Sequence, residues 1–354
     1  MARWTCRECL AVFDSSARLA RCDHGCQPST ESQAPTLVFN PRAGRPSPPR
    51  LTTNLLGLRS SPPHSLCPEC GKPTTRWVCP DCHADLPERG TDPFASIVLV
   101  GPARSGKSGL AHALARSLER LCPGSVVDPV DEPSRAVVGH RSDHPGQVSR
   151  ALLRERRPGR ENARWLALVD TPGTPWEDRD QSWARHARFL ARAGAIVLVL
   201  DPRRLEPVLT LIRRHADARL QAGFVSTWRR LLLVEEIRQL GSFLELAGGR
   251  IPAQQPLAIA LTHLEAWFSL ASPGTLLQAL GPVPEAFPWT DQVGQRLHDE
   301  AEAELVRWNG ESFTQQLSLK FPTYRYVPIG DPSTPHPFGV EILLRWLLQR
   351  QAWL

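Results

Sequence analysis

The feature that most constrains this chain is GPARSGKS at residues 101–108, placed directly after the apolar run SIVLV and ahead of leucines at helical spacing. A strand that turns through glycines and reopens as a helix bends the backbone sharply. The spacing G-x-x-x-x-G-K-S turns successive N–H groups inward, where an anion can sit. Gly101 and Gly106 permit the tight turn and a close backbone approach. Ser105, Gly106 and Gly109 would offer backbone N–H groups together with the helix N-terminus, Lys107 would reach terminal phosphates, and Ser108 would give its hydroxyl to Mg²⁺. Arg104 could add charge over the phosphates, though an exposed arginine fits equally. A chance glycine-rich turn is the plain alternative. It is weakened because the chain holds only three lysines, Lys72, Lys107 and Lys320, and one of them falls here.

Short apolar runs follow a regular plan from Pro93 onward: SIVLV (96–100), WLALV (165–169), AIVLVL (195–200), PLAIAL (256–261) and YRYVPI (324–329). Near-continuous runs of this length suit strands covered on both faces, as in a parallel sheet. Between them lie helical patterns. Leu110, Leu114, Leu118 and Leu121 form one stripe before Pro123-Gly124, and GVEILLRWLLQRQAWL predicts a helix laid against the sheet at the end of the sequence. The expectation is an α/β fold, doubly wound and mostly parallel, over residues 91–354, with an inserted helical segment at about 202–255. No internal repeat is present.

The strand WLALV ends in Asp170-Thr171-Pro172-Gly173. This matches D-x-x-G, and with the phosphate loop one switch segment upstream the chain resembles the P-loop GTPases related to Ras and to the translation factors. The resemblance implies that Asp170 holds Mg²⁺, usually through water, and that the Gly173 N–H binds the γ-phosphate. Taken alone, DTPG also reads as an ordinary Asp-Pro-Gly turn. AIVLVLD, ending at Asp201, resembles the next strand of that class. PLAIALTHLE then stands where the class carries its guanine reader, N/T-K-x-D, so Thr262, His263, Leu264 and Glu265 occupy those four positions. Glu265 keeps a carboxylate one methylene longer, and His263 could stack where the lysine stem would lie; a surface turn with a solvated Glu265 is the other reading.

Two departures bear on hydrolysis. No threonine occurs between Thr91 and Thr171, so the switch threonine is missing, with Ser134, Ser142 or Ser149 as substitutes. Thr174 follows Gly173 where many relatives carry a glutamine. The resemblance therefore implies slow intrinsic turnover, waiting on a partner for the missing group. YVPIG (326–330) and GVEILLRWLL resemble the closing strand and helix, so the motifs run from about residue 94 onward. A zinc ribbon before a divergent GTPase domain with an enlarged middle resembles the bacterial double-GTPase families.

Eight of the nine cysteines precede residue 83, in four close pairs. A reducing compartment keeps thiols out of structural disulfides, which leaves metal as the use for paired cysteines. Cys67-x2-Cys70-x8-Cys79-x2-Cys82 reads as two facing knuckles that give four thiolates to one tetrahedral Zn²⁺. Cys6-x2-Cys9-x12-Cys22-x3-Cys26 reads as a second, less regular Zn²⁺ site, in which His24 could replace one thiolate. His83 is expected outside the ligand set, and Cys122 reads as a small buried hydrophobe. A redox pair would need only one C-x-x-C. The expected layout is a cysteine-rich module at 1–26, a proline-rich linker at 27–65 with eight prolines, a zinc ribbon at 66–90 and the GTPase domain at 91–354. Neither ribbon has enough apolar residues to fold without metal. Trp4 and Trp77 are expected to pack on the metal sites rather than stack on bases.

The formal charge of +6 is spread evenly: residues 1–90 hold 11 basic against 8 acidic side chains and the remainder 31 against 28. A nucleic-acid binder concentrates charge on one face or tail, so nucleic acid is set aside as a partner. Apolar runs stay far below the ~18 residues of a membrane span, and MARWTCREC lacks a secretory core. The expectation is a cytosolic regulatory GTPase whose ribbons or inserted helices contact a protein partner. A non-hydrolysing GTP-binding scaffold and an ATP-dependent P-loop enzyme with a zinc-ribbon substrate reader remain alternatives.

Overall fold

All five apolar runs become parallel strands of one sheet in the computed structural model. It describes residues 3–6, 9–14, 17–24, 26, 38–39, 65–86, 94–123, 126–129, 149–156, 164–173, 189–214, 231–246, 255–279 and 290–353. The strands are β1 (Phe94–Val100), β2 (Val126–Pro129), β3 (Ser149–Arg156), β4 (Arg164–Asp170), β5 (Ala195–Leu200), β6 (Leu257–Leu261) and β7 (Tyr324–Pro328). Their order across the sheet is β7-β6-β5-β1-β4-β3-β2. Strands β4, β1, β5, β6 and β7 run parallel, whereas β3 pairs antiparallel with both β4 and β2. The chain thus winds outward from β1 in both directions, which opens a crevice beyond the carboxyl end of β1.

Every residue of β5 and β6 is buried, so both faces of the sheet are covered. At about 1.5–3 kcal/mol for each large aliphatic side chain withdrawn from water, these central strands supply much of the driving force. Helix α1 (Lys107–Leu121) packs against α6 (Val340–Arg350) and the central strands, burying Leu110, Leu114 and Leu118. A second packed group comprises α2 (Glu206–Arg214), α3 (Leu233–Leu246), α4 (Asp291–Asn309) and α5 (Ser312–Lys320). Of the inserted segment, α2 and α3 are described.

Strands β2 and β3 lie in the stretch expected to be a switch segment. Their sequence concealed them. Strand β3 reads SRALLRER, yet Glu155 is only 1% exposed because the Arg164 guanidinium of β4 donates to both its oxygens, at 2.6 and 3.0 Å. A buried, fully paired charge looks polar in a sequence scan. Ser134, Ser142 and Thr174 lie outside the described residues.

Contacts divide the chain into Met1–Asp92 and Pro93–Leu354. In the first unit, Arg3–Thr5 pairs with Val12–Asp14, and Ser65–Leu66 with Pro73–Thr74. Leu19–Arg21 pairs with Val38–Phe39 and with Arg76–Val78. Strand pairing therefore joins the two cysteine-rich stretches directly, and Val38–Phe39, inside the expected linker, belongs to the same small sheet. The rest of 27–64 lies outside the described residues.

Candidate nucleotide site and candidate metal centres

The glycine-rich turn closes as its spacing requires. Gly101 has φ +138° and Gly106 φ +91°. A Cβ at Gly101 would stand 2.3 Å from the Val199 carbonyl oxygen, so the loop leaves β1 pressed against β5. Arg104 also takes the left-handed region, at φ +60°, and is exposed. Ser105 is buried, its hydroxyl without a protein partner, and Gly109 lies against Pro332.

Lys107 is 6% exposed at the head of α1, and its ammonium donates to the carbonyls of Gly101 at 2.9 Å and Pro102 at 2.6 Å. A buried ammonium needs such acceptors. They hold the charge inside the loop at the head of α1.

The Ser108 hydroxyl donates to Asp170 Oδ2 at 2.5 Å, which brings both residues expected at Mg²⁺ together at the end of β4. Asp170 Oδ1 is buried without a partner. Burial pushes the Asp170 carboxyl up, against the lowering effects of the Ser108 hydrogen bond and the Lys107 charge. An orphaned carboxylate oxygen beside a serine hydroxyl fits a hard divalent cation that takes oxygen ligands. Beyond it, Thr171 donates twice to the Leu99 carbonyl, and Gly173 lies so close to the loop that a Cβ there would be 2.3 Å from Ala103 Cα.

Thr262 is buried, and its hydroxyl makes contacts of 2.9 Å to the Ser105 carbonyl and 3.1 Å to that of Leu200. It joins the glycine-rich loop to the ends of β5 and β6. His263 takes φ +58°, with Nδ1 3.4 Å from Glu265 Oε1, while Glu265 Oε2 has no partner. Leu264 N–H donates to the Ile329 carbonyl, fixing this turn against the end of β7.

Motif reasoning missed one further residue. Arg204 follows Asp201 after β5, is 6% exposed, and donates to the Ala103 carbonyl at 3.0 Å. Only a search for buried cations near the loop would find it, since no sequence pattern marks the position.

The eight cysteines of the first unit gather in two fours, but not by sequence cluster. Cys6, Cys9, Cys79 and Cys82 form one group, and Cys22, Cys26, Cys67 and Cys70 the other, with the sulfurs of each within 4.8 Å of one another. The expected sites, Cys6/Cys9/Cys22/Cys26 and Cys67/Cys70/Cys79/Cys82, are thus corrected to a nested pairing of first with fourth and second with third. Pairing of Leu19–Arg21 with Arg76–Val78 is the reason: it draws Cys22 to one end of the ladder and Cys79 to the other.

Sulfur separations of 3.6 Å (Cys6–Cys82), 3.6 Å (Cys9–Cys79) and 3.9 Å (Cys22–Cys70) match the ~3.8 Å edge of a tetrahedron with Zn–S of about 2.3 Å. Each four could hold one metal ion. Donating to Cys82 and Cys9 holds the Cys6 thiol high, while the bonds that Cys9 accepts, led by that from Cys6, bring the Cys9 thiol well down. Three knuckles share one backbone form, in which the fourth residue after the leading cysteine has positive φ: Leu10 at +60°, Gly71 at +65° and His83 at +59°. His24 and His83 belong to neither four. Trp4 and Trp77 flank the Arg18 guanidinium at 4.6 and 4.4 Å, which places both in this unit's packing. Cys122 is 2% exposed.

No known family profile matches the sequence, and no curated protein matches it. Among solved structures, elongation factor SelB from Methanococcus maripaludis, in complex with the GTP analogue GppNHp, is similar over 73% of this chain and 34% of its own, at 10% identity and a TM-score of 0.27. The cytosolic domain of the T. maritima FeoB iron transporter, in its GMPPNP form, is similar over 73% of this chain and 64% of its own, at 13% identity and a TM-score of 0.30. The chain spans about a third of the first and just under two thirds of the second.

Proposed function

We propose that residues 93–354 bind GTP with Mg²⁺ and turn it over slowly as a regulatory switch. The observation that carries this reading is Lys107, buried within the glycine-rich loop and held by two of its carbonyls, with the Ser108–Asp170 pair beside it. A loop that concentrates positive charge at a helix N-terminus next to an orphaned carboxylate oxygen is suited to a phosphate–Mg²⁺ pair. Ser108 and Asp170 would hold the cation, which on binding would neutralise charge on the phosphates. Gly101, Arg104, Ser105, Gly106, Lys107, Ser108 and Gly109 would surround the phosphates, and Gly173 would meet the terminal one.

Guanine choice rests on Thr262, His263 and Glu265, whose unpartnered Oε2 can accept from an N–H donor. The nested thiolate fours would each take Zn²⁺, and the small unit they stabilise, or the inserted helices, would contact a protein partner. Among the described residues no helix is long and apolar enough to cross a membrane. A cytosolic place and membership of the double-GTPase families complete the proposal.

Equilibrium binding of fluorescent GTP and ATP analogues with Mg²⁺ tests it. The wild type is expected to prefer the guanine nucleotide, and Lys107→Ala to lose at least about a hundredfold in affinity, since a charged donor to phosphate is removed. Equal affinity for ATP would make the domain an adenine-tolerant P-loop enzyme. Multiple-turnover phosphate release no faster than in Lys107→Ala would make it a GTP-binding scaffold, the outcome that Thr174 in the glutamine position favours.

A further inference from the structure

Three consecutive carbonyls of the phosphate loop are held by two cationic side chains. Lys107 takes Gly101 and Pro102, and Arg204 takes Ala103. The second of these cations comes from outside every motif of the loop, from the turn after β5. Burial of an arginine to 6% exposure costs free energy that its position must repay through acceptors. Its neighbour is employed differently: Arg203 forms a forked ion pair with Asp201, which is fully buried, with contacts of 2.8 to 3.2 Å. That pair and the Asp201 cap on the Arg203 N–H fix the turn from which Arg204 reaches the loop.

Ala103 is also the residue on which the DTPG turn closes, since Gly173 packs against its backbone. Arg204 and Gly173 therefore converge on one point of the loop. If the loop holds a nucleoside triphosphate, this is the end where the terminal phosphate lies, because Gly173 is the group expected to read it. We propose that Arg204 is an arginine supplied in cis to the terminal phosphate of the bound nucleotide. This inference rests on the nucleotide reading above and adds to Gly173 a cationic side chain that favours triphosphate over diphosphate.

In hydrolysis the water oxygen bonds to the γ-phosphorus as the β,γ-bridging P–O bond breaks. The electron pair leaves with the diphosphate, and the water proton ends on the phosphate released. Charge builds on the equatorial and bridging oxygens, where a planar guanidinium with several donors gives more than an ammonium can. An arginine already tethered to the loop needs no partner to deliver it. The Leu231 N–H donates to the Arg204 carbonyl at 3.0 Å, which ties its backbone to the start of α3 in the inserted segment. The unusual middle of this chain thus holds the cation in place.

The test measures affinity for a fluorescent non-hydrolysable GTP analogue and for fluorescent GDP, both with Mg²⁺, on the full chain. Wild type, Lys107→Ala, Arg204→Ala and Arg204→Lys are compared. Arg204→Ala is expected to weaken the triphosphate about tenfold and leave GDP within about twofold. Single-turnover hydrolysis is expected to fall by about a hundredfold or more and to recover in part with millimolar guanidinium. Arg204→Lys, which keeps a donor for the Ala103 carbonyl and so guards against loss of the fold, is expected to lose much of the triphosphate preference as well. An unchanged ratio of the two affinities in Arg204→Ala, or in Arg204→Lys if the alanine variant does not fold, overturns the proposal and leaves Arg204 as a brace of the loop. Equal weakening of both nucleotides does the same. Failure of the wild type to bind either nucleotide better than Lys107→Ala overturns the nucleotide reading itself, and this inference with it.

Discussion

One carboxylate is buried with an oxygen unsatisfied. Asp170 is 9% exposed, its Oδ2 accepts from Ser108, and its Oδ1 has no partner. A charge held in that position costs the nucleotide-free protein stability, because water is excluded and only one oxygen is satisfied. Asp170→Asn keeps the acceptor for Ser108 and removes the charge. The variant is expected to melt at or above the wild-type temperature without nucleotide, while Mg²⁺-dependent binding of GTP falls by more than about tenfold; calorimetry with and without Mg²⁺ and GTP checks both. A lower melting temperature would mean that Asp170 is structural. The same scale explains why D-x-x-G was legible and Arg204 was not. Asp170 and Gly173 stand next to a strand end in a fixed spacing, whereas Arg204 reaches Ala103 across 101 positions of sequence.

At the scale of elements, helix α4 packs on strand β7 through a polar aromatic cluster. The helix has ordinary end signals, Thr290 accepting from the Val293 N–H and Gly310 closing at φ +77°, and these were present in the sequence without being used. Its contact with β7 is a cluster that only pairing across 28 residues creates: His298 Nδ1 accepts from the Tyr326 N–H at 3.1 Å, and the two rings stack at 5.5 Å. Tyr324 donates to Glu302 at 2.9 Å in the same cluster. Burial lowers the His298 pKa from its ordinary value. Glu302 and Asp299 oppose that shift, and Arg325 adds to it.

The unfolded chain therefore binds a proton that the folded chain resists. Stability is whole above the ordinary histidine pKa of about 6.5 and falls as pH drops below it. Melting temperature is expected to decline between pH 7.5 and pH 5.5, and the decline to shrink in His298→Asn, whose amide oxygen can still accept from Tyr326. An unaltered decline in that variant would place the sensitivity elsewhere.

Across the whole molecule, the nested thiolate fours give the sharpest test of topology. In the full chain, two Zn²⁺ per molecule are expected by mass spectrometry under native conditions, one for each four. The double variant Cys6→Ser/Cys79→Ser removes two ligands of one four and should leave one Zn²⁺, whereas Cys6→Ser/Cys67→Ser cuts into both and should leave none. Grouping by sequence cluster predicts loss of both metals in each case, so the first variant decides. The reason the sequence misled is that C-x2-C marks a knuckle but not its partner. Any two knuckles can face each other, and the choice falls to the strand pairs that bring them together.

Composition and spacing by themselves determined much of the rest. Five apolar runs became the five parallel strands, because strands covered on both faces are largely apolar along their length. The glycine-rich turn was likewise legible, since it lies in one contiguous stretch whose glycines take backbone conformations few other residues tolerate. What only the tertiary structure decided is each contact between distant segments: β3 with its buried Glu155–Arg164 pair, the exchange of cysteine partners, and the arrival of Arg204 at Ala103. Local pattern follows from covalent spacing and backbone sterics, while partnership across the chain depends on which surfaces the fold presses together.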